Sequence, residues 1–294
     1  MNRVSPKVLA LLAGLTLIWG TSWTLFRIAL DALPPWTFRT GVMVVASVLL
    51  GVLVHLRGES FAVPRGRWPA LIAASILNLG YWNIASALAV LYLPSGHASV
   101  LTYTMPLWVA LLGFALFGQR LCGRLMAAIA IGALAVAALM APNFASYANA
   151  PWGLFWALSA AAGWALGTFV VKRTDWPGMG LSLTFWQVIL CLPPMVVGTY
   201  LVDGVPQHWP SPAILLVMVY AGAVPMAFGT LIWFALVKAL PAQVAALSTI
   251  TVPIVAVLSG IVVLHEPLSL LQAVAVASTV ISLWLALVPP RGVV

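Results

Sequence analysis

Apolar residues run along this chain in blocks, and polar residues gather in the short gaps between them. A helix needs about 20 mostly apolar residues to cross a bilayer, so each block reads as a membrane span. Ten spans are predicted: 8–29, 36–56, 68–92, 95–117, 122–141, 152–171, 180–201, 212–237, 242–263 and 268–288. Turn residues mark most gaps: Pro34-Pro35, Pro64 to Gly66, Pro94 to Gly96, Pro142-Asn143, Pro177-Gly178, Pro210 with Pro212, and Pro241. The short gaps between spans three and four, and eight and nine, predict tight helical hairpins. The fold class expected is an all-α integral membrane protein.

The pattern also repeats. Residues 93–121 slide without a gap onto residues 240–268, an offset of 147. Leu93-Pro94 meets Leu240-Pro241, Thr102 meets Thr249, Thr104 meets Thr251, and Pro106 meets Pro253. A looser match at an offset of 145 sets Trp19 over Trp164 and Arg27 over Lys172. Five spans then correspond to five, residues 1–147 to residues 148–294. Five is odd, so the second copy is expected to enter the membrane upside down, the arrangement of many secondary transporters.

Charge tests this count. Eleven of the 13 Lys and Arg residues fall on one side of the predicted bundle, before span one or after spans two, four, six, eight and ten. Positive charge is retained on the cytoplasmic side, so both termini are expected there. Arg27 and Arg39 are the exceptions and flank the first external turn. They are candidates for an anion-attracting entrance, or for a plain pairing with Asp31. Only 6% of residues are charged, against about 25% in soluble domains. The net charge of +8 is spread in short groups between spans, which argues against nucleic acid as a partner. Cys122 and Cys191 have no disulfide or metal-like spacing. No metal or cofactor is expected.

Candidate chemistry lies inside the spans. Asp31, Glu59, Asp175, Asp203 and Glu266 all fall in gaps or at span ends, which disfavours coupling through a central carboxylate. Little remains for a membrane enzyme, and no HExxH or GxSxG is present. Fourteen tryptophans stand out. Some fall at span ends, where an interfacial belt explains them. Trp19, Trp23, Trp82, Trp108 and Trp164 lie deeper and are candidate substrate contacts. Helical spacing places Asn78, Tyr81 and Trp82 on one face of span three. It places His97, Thr104 and Trp108 on one face of span four. Thr168, Ser248 and Thr251 complete the candidate set. Pro106 and Pro253, mid-span at matching positions, are expected to kink their helices and act as hinges.

The tryptophan-glycine of span one, the early arginine of span two and the proline-bearing span ending in Gly-Gln-Arg-Leu resemble the drug/metabolite transporter superfamily. The second half, through HEPLSLLQAVAVASTVISLWL, is similar to the end of an EamA-type domain. Within that group the chain looks most like bacterial aromatic amino-acid exporters of the YddG type. One departure is Gln119, where the family usually has the glutamate seen here at Glu266. The resemblance implies an inner-membrane exporter with a cavity formed by helices 1, 3, 4, 6, 8 and 9, and with helices 5 and 10 at the periphery. The expected function is export of small zwitterionic metabolites, amino acids including aromatic ones, by a monomer working through alternating access. Organic cations, drugs or nucleotide sugars are the alternative substrates.

Overall fold

The structure, a computed structural model, describes residues 6–93, 95–118, 123–140, 150–204, 209–241, 245, 249–264 and 270–287. Among them no strand occurs. The helices are α1 (Pro6–Ala32), α2 (Pro35–Leu56), α3 (Trp68–Tyr92), α4 in two pieces (Ser95–Thr102 and Met105–Phe117) and α5 (Gly123–Met140). They continue with α6 (Pro151–Arg173), α7 (Leu181–Asp203), α8 (Pro212–Ala239), α9 (Val252–Leu264, reached through a 3-10 turn at Thr249–Thr251) and α10 (Leu270–Leu287). Six of these, α1, α2, α3, α6, α7 and α8, are long and apolar enough to cross a membrane.

Proline starts several of these helices. Pro35, Pro151 and Pro212 occupy the first turns of α2, α6 and α8. There the missing N–H costs no hydrogen bond and the fixed φ favours the helix. Pro106 and Pro253 follow the same rule, which corrects the expectation of kinks inside continuous helices. The chain leaves the helix at Tyr103 and Thr104 and restarts at Met105, with Pro106 in the new first turn. Val252 and Pro253 likewise open α9 after the 3-10 turn. A proline disrupts a helix one turn before itself, so the break falls N-terminal to it.

Helix directions emerge from polar contacts. Asp203, at the end of α7, accepts bonds from Thr37 N (2.6 Å) and Thr37 Oγ1 (2.8 Å) at the start of α2. Glu59, just past α2, accepts from Ser182 N at the start of α7, 3.3 Å away. So α2 and α7 run antiparallel, and each receives a carboxylate at its N-terminus from beyond the other's C-terminus. Such a carboxylate satisfies orphan amides and complements the helix dipole. In α10, Ser282 Oγ donates to Ala128 O of α5 (2.6 Å), and Leu285 O accepts from Arg124 Nε (2.5 Å), so α5 and α10 are antiparallel too. Thr16 bonds Thr251 (2.8 Å) and Thr24 bonds Ser259 (3.1 Å), which makes α1 and α9 parallel.

Three helices depart from α geometry, and α7 does so only over its last five residues, Thr199–Asp203. α3 is π-helical over Ser75–Tyr81 and α8 over Gly222–Gly229. The two stretches begin 147 positions apart, the offset of the sequence repeat. α3 lies on the Gly163 and Gly167 face of α6. A Cβ on Gly167 would lie 2.7 Å from Asn78 Cγ, and one on Gly163 would lie 2.9 Å from Tyr81 Cδ1. Small residues four apart let membrane helices approach this closely. Large apolar side chains such as Leu17, Val48, Ile76 and Leu216 point outward and are more than half exposed. A hydrocarbon solvent accommodates that surface.

Candidate functional site

A cavity lies where α1, α2, α3, α4, α6 and α8 meet. Its wall is largely indole. Trp19 of α1 and Trp164 of α6 line it and, with Trp233 of α8, which packs on both from outside the lining, form a triangle with ring centroids 5.7, 5.8 and 5.9 Å apart. Trp82 of α3 packs edge-on against Trp164 at 5.2 Å. Trp23 of α1 continues the row at 6.4 Å from Trp82 and 6.0 Å from Tyr103. Edge-to-face contacts of this kind contribute about 0.5–1.5 kcal/mol each beyond burial, so the wall is stiff. The cavity it leaves is about 30 Å³, room for about two waters.

Polar groups punctuate the indoles. Trp19 Nε1 donates to Pro225 O, 3.0 Å away in the π-helical stretch of α8. That contact requires Gly229, because a Cβ there would meet Trp19 Nε1 at 2.5 Å. Asn83 Nδ2 donates to Leu79 O (2.8 Å), and its Oδ1 is buried without a partner. Trp82 Nε1 and Trp164 Nε1 are buried N–H donors that likewise have no partner. Buried polar groups are normally satisfied, so these three atoms and Arg39 Nε, four around one cavity, mark a place where hydrogen-bonding capacity is held in reserve.

Among the described residues, the one charged residue lining the cavity is Arg39, only 2% exposed. Its guanidinium carbon lies 4.6 Å from the Phe26 ring centroid, 5.7 Å from Phe38 and 5.9 Å from Trp82. One Nη donates to Ser86 Oγ at 3.2 Å, while Nε has no partner. Arg39 is therefore not an entrance charge that snorkels to the surface. Its aromatic neighbours turn it inward. Arg27 instead stays outside, paired with Asp31 at 3.1 Å, the one ion pair among the described residues.

The other predicted site residues separate. Trp19, Trp23, Trp82 and Trp164 line the cavity together. Asn78 and Tyr81 do not. Asn78 packs on Gly167, and Tyr81 donates to Ser159 of α6 at 2.9 Å. The inward face keeps helical i, i+3, i+4 spacing but lies one position further along the chain than predicted. Leu79, Trp82 and Asn83 take the inward positions instead. On α4 the break turns Tyr103 into the cavity, while Thr104 Oγ1 donates to Leu101 O at 2.6 Å. Trp108 packs near Val109, Ala165 and Phe169. Thr168 Oγ1 donates to Trp164 O at 2.9 Å and Thr251 is engaged with Thr16. No described α9 residue lines the cavity, whereas α2 does through Arg39 and Val42. The His97 side chain, Ser248, Gln119 and Glu266 lie outside the described residues. Sequence reasoning missed Asn83 and Tyr103.

An apolar helical bundle around a central, polar-tipped cavity is a multi-pass membrane protein built to enclose a small solute. Residues 6–141 and again 151–288 match the EamA-like transporter family, and the chain belongs to that family. Among its relatives is the uncharacterized transporter YvbV of Bacillus subtilis (strain 168), 27% identical, with 88% of this chain and 85% of that protein covered. The uncharacterized transporter YoaV of the same organism is 22% identical, with 90% and 91% covered. Protein PagO of Salmonella typhimurium is 31% identical over 36% of this chain and 34% of its own length. A solved crystal structure superposes with a TM-score of 0.76 at 20% identity, covering 97% of both chains, which shows the shared fold. The protein is a membrane transporter.

Proposed function

We propose that this transporter exports small zwitterionic metabolites, amino acids including aromatic ones, from the cytoplasm by alternating access. One observation carries the reading: the cavity walls are aromatic, and its unpaired polar atoms include both a cationic donor at Arg39 and an acceptor at Asn83. Aromatic faces suit an apolar side chain, and the two polar poles suit the two ends of an amino acid. The specificity resembles that of YddG-type exporters. Organic cations suit the site less well, because Arg39 already occupies the aromatic neighbourhood that would hold them.

Alternating access rests on the repeat. Helices α2 and α7 stand at matching positions in the two copies and run antiparallel, as do α5 and α10. Inverted copies, residues 1–147 and 148–294, require that relation. The distribution of Lys and Arg supports cytoplasmic termini in a bacterial inner membrane. With that orientation Arg39 lies in the outer half of the bundle, one helical turn into α2. The breaks before Pro106 and Pro253 then serve as paired hinges. A monomer contains the whole site. Among the described residues no acid lines the cavity, which favours export down the substrate's own gradient over ion coupling.

Purified protein in liposomes loaded with unlabelled tryptophan tests this. Saturable counterflow of labelled tryptophan is expected, without a need for a pH gradient. Absence of counterflow for every amino acid in a panel ends the substrate assignment. A flux that rises linearly with concentration would indicate a pore. A pH-gradient dependence abolished by His97→Ala would replace facilitated export with proton coupling.

A further inference from the structure

The arginine of this cavity has no partner for its charge. Arg39 is almost wholly buried, and among the described residues no carboxylate stands within ion-pair distance of it. A buried charge costs several kcal/mol even after relaxation, and a cation in a membrane span is a functional group by default. The structural alternative is that Arg39 merely ties α2 to α3. That role uses one Nη bond to Ser86 and leaves Nε without a partner. It also gives no reason for guanidinium where glutamine or lysine would bond the same hydroxyl. Contacts to Phe26, Phe38 and Trp82 fix the plane of the group, and thereby the direction of its remaining donors. Nearby, two further donors, Trp82 Nε1 and Trp164 Nε1, also stand buried and unpaired. Among the buried side-chain atoms without a partner, the residues lining the cavity thus offer three donors, one of them cationic, against one neutral acceptor, Asn83 Oδ1.

We infer that Arg39 is the anchor for a free carboxylate of the transported molecule, shared with the indole N–H groups of Trp82 and Trp164. The carboxylate is the obligatory recognition element and the ammonium is dispensable. This rests on the export reading above and narrows it. A planar guanidinium matches a carboxylate in geometry and charge. A single neutral amide oxygen satisfies only one of the three N–H donors of an ammonium. Transported molecules should therefore include organic monocarboxylates lacking an amine, and should exclude amines lacking a carboxylate.

The test is a competition series against labelled tryptophan counterflow in proteoliposomes, with tryptophan, indole-3-propionate, tryptamine and tryptophan methyl ester. Indole-3-propionate is expected to compete within about tenfold of tryptophan. Tryptamine and the ester are expected to be weaker by at least about tenfold, the loss of a charge-assisted hydrogen bond. Tryptamine or the ester competing as well as tryptophan overturns the anchor while leaving amino-acid export standing. Conversely, if labelled indole-3-propionate exchanges and no amino acid does, the export reading fails and the anchor survives. If nothing in the series exchanges, both fall. In variants, Arg39→Gln should abolish exchange of the acids and Arg39→Lys should retain part of it, with unchanged size-exclusion profiles in detergent. Full exchange by Arg39→Gln refutes the anchor. If that variant does not fold, the wild-type series decides alone.

Discussion

Replacing Gly229 by alanine should destabilise this transporter, against what helix propensity alone dictates. Alanine for an interior helical glycine gains about 1 kcal/mol. At Gly229 the added Cβ would lie 2.5 Å from Trp19 Nε1 and 3.0 Å from Trp19 Cδ1. Carbon contacts settle near 3.5–4.0 Å, so the indole must retreat by about 1 Å. Its hydrogen bond to Pro225 O spans 3.0 Å and does not survive that shift. Trp164 and Trp233, at 5.7 and 5.8 Å, stand on the other side and resist it. Overpacking costs roughly 1–3 kcal/mol. Orphaning a buried donor adds about 1–3 kcal/mol. Set against the propensity gain, the net loss is about 1–5 kcal/mol. Gly14 supplies the control, because nothing lies within 4 Å of a Cβ built there. Thermal unfolding in detergent should rank Gly14→Ala at or above the parent and Gly229→Ala below it. Counterflow by Gly229→Ala should weaken as the cavity wall shifts. A Gly229→Ala protein melting as high as Gly14→Ala, with unaltered counterflow, would refute this account of the cavity wall.

Three further outcomes are expected. Trp164→Phe keeps an aromatic ring beside Trp19 and loses an N–H that has no partner in the structure. It should therefore lower apparent affinity for tryptophan, by about tenfold, more than it lowers the melting temperature; the opposite ranking would make Trp164 a packing residue. Asp203→Ala removes two short bonds to Thr37 and should cost about 1–2 kcal/mol. Glu59→Ala removes one 3.3 Å bond and should cost under about 1 kcal/mol, which paired denaturation curves would show. In intact cells, with Cys122 and Cys191 replaced, a membrane-impermeant maleimide should label Ser211→Cys and spare Ser60→Cys. The reverse pattern would invert the orientation.

The helices were legible in the sequence and their faces only partly so. α1, α2, α3, α6, α7 and α8 begin and end within about three residues of the predicted spans, because length and hydrophobicity are set by the bilayer. Trp19, Trp23, Trp82 and Trp164 were found because each lies deep in a span. Asn78 and Tyr81 were misplaced because spacing shows which residues share a face but not which face turns inward, and Leu79, Trp82 and Asn83 share the same spacing one position on. Nothing in Ser75–Tyr81 announces its π-helical geometry, although Gly222, Pro225 and Gly229 hint at it in α8. The placement of Arg39 was illegible for another reason. A sequence near a span end does not show whether aromatic rings or headgroups wait beside the charge, and here Phe26, Phe38 and Trp82 supply the rings.

Departures from symmetry explain why the cavity has a direction. Leu79 and Met226 both line it, as do Asn83 and Thr230, and each pair is separated by the repeat offset of 147. The same offset pairs Trp82 with Gly229. In one copy Trp82 presses on Trp164. In the other the matching place is empty of side chain, and Trp19 moves in to bond the α8 backbone. So Trp19 is committed to the scaffold, while Trp164 keeps its N–H unpaired. Charge departs in the same way: α2 brings Arg39, and the corresponding α7 contains no Lys or Arg at all. A perfectly two-fold cavity would accept a zwitterion equally well in either direction. One cation, one kept indole N–H and one displaced indole remove that degeneracy, so a carboxylate has a single pole to find. In the proposed mechanism, duplication supplies the two halves that rock against each other, and their divergence supplies the orientation of the solute between them.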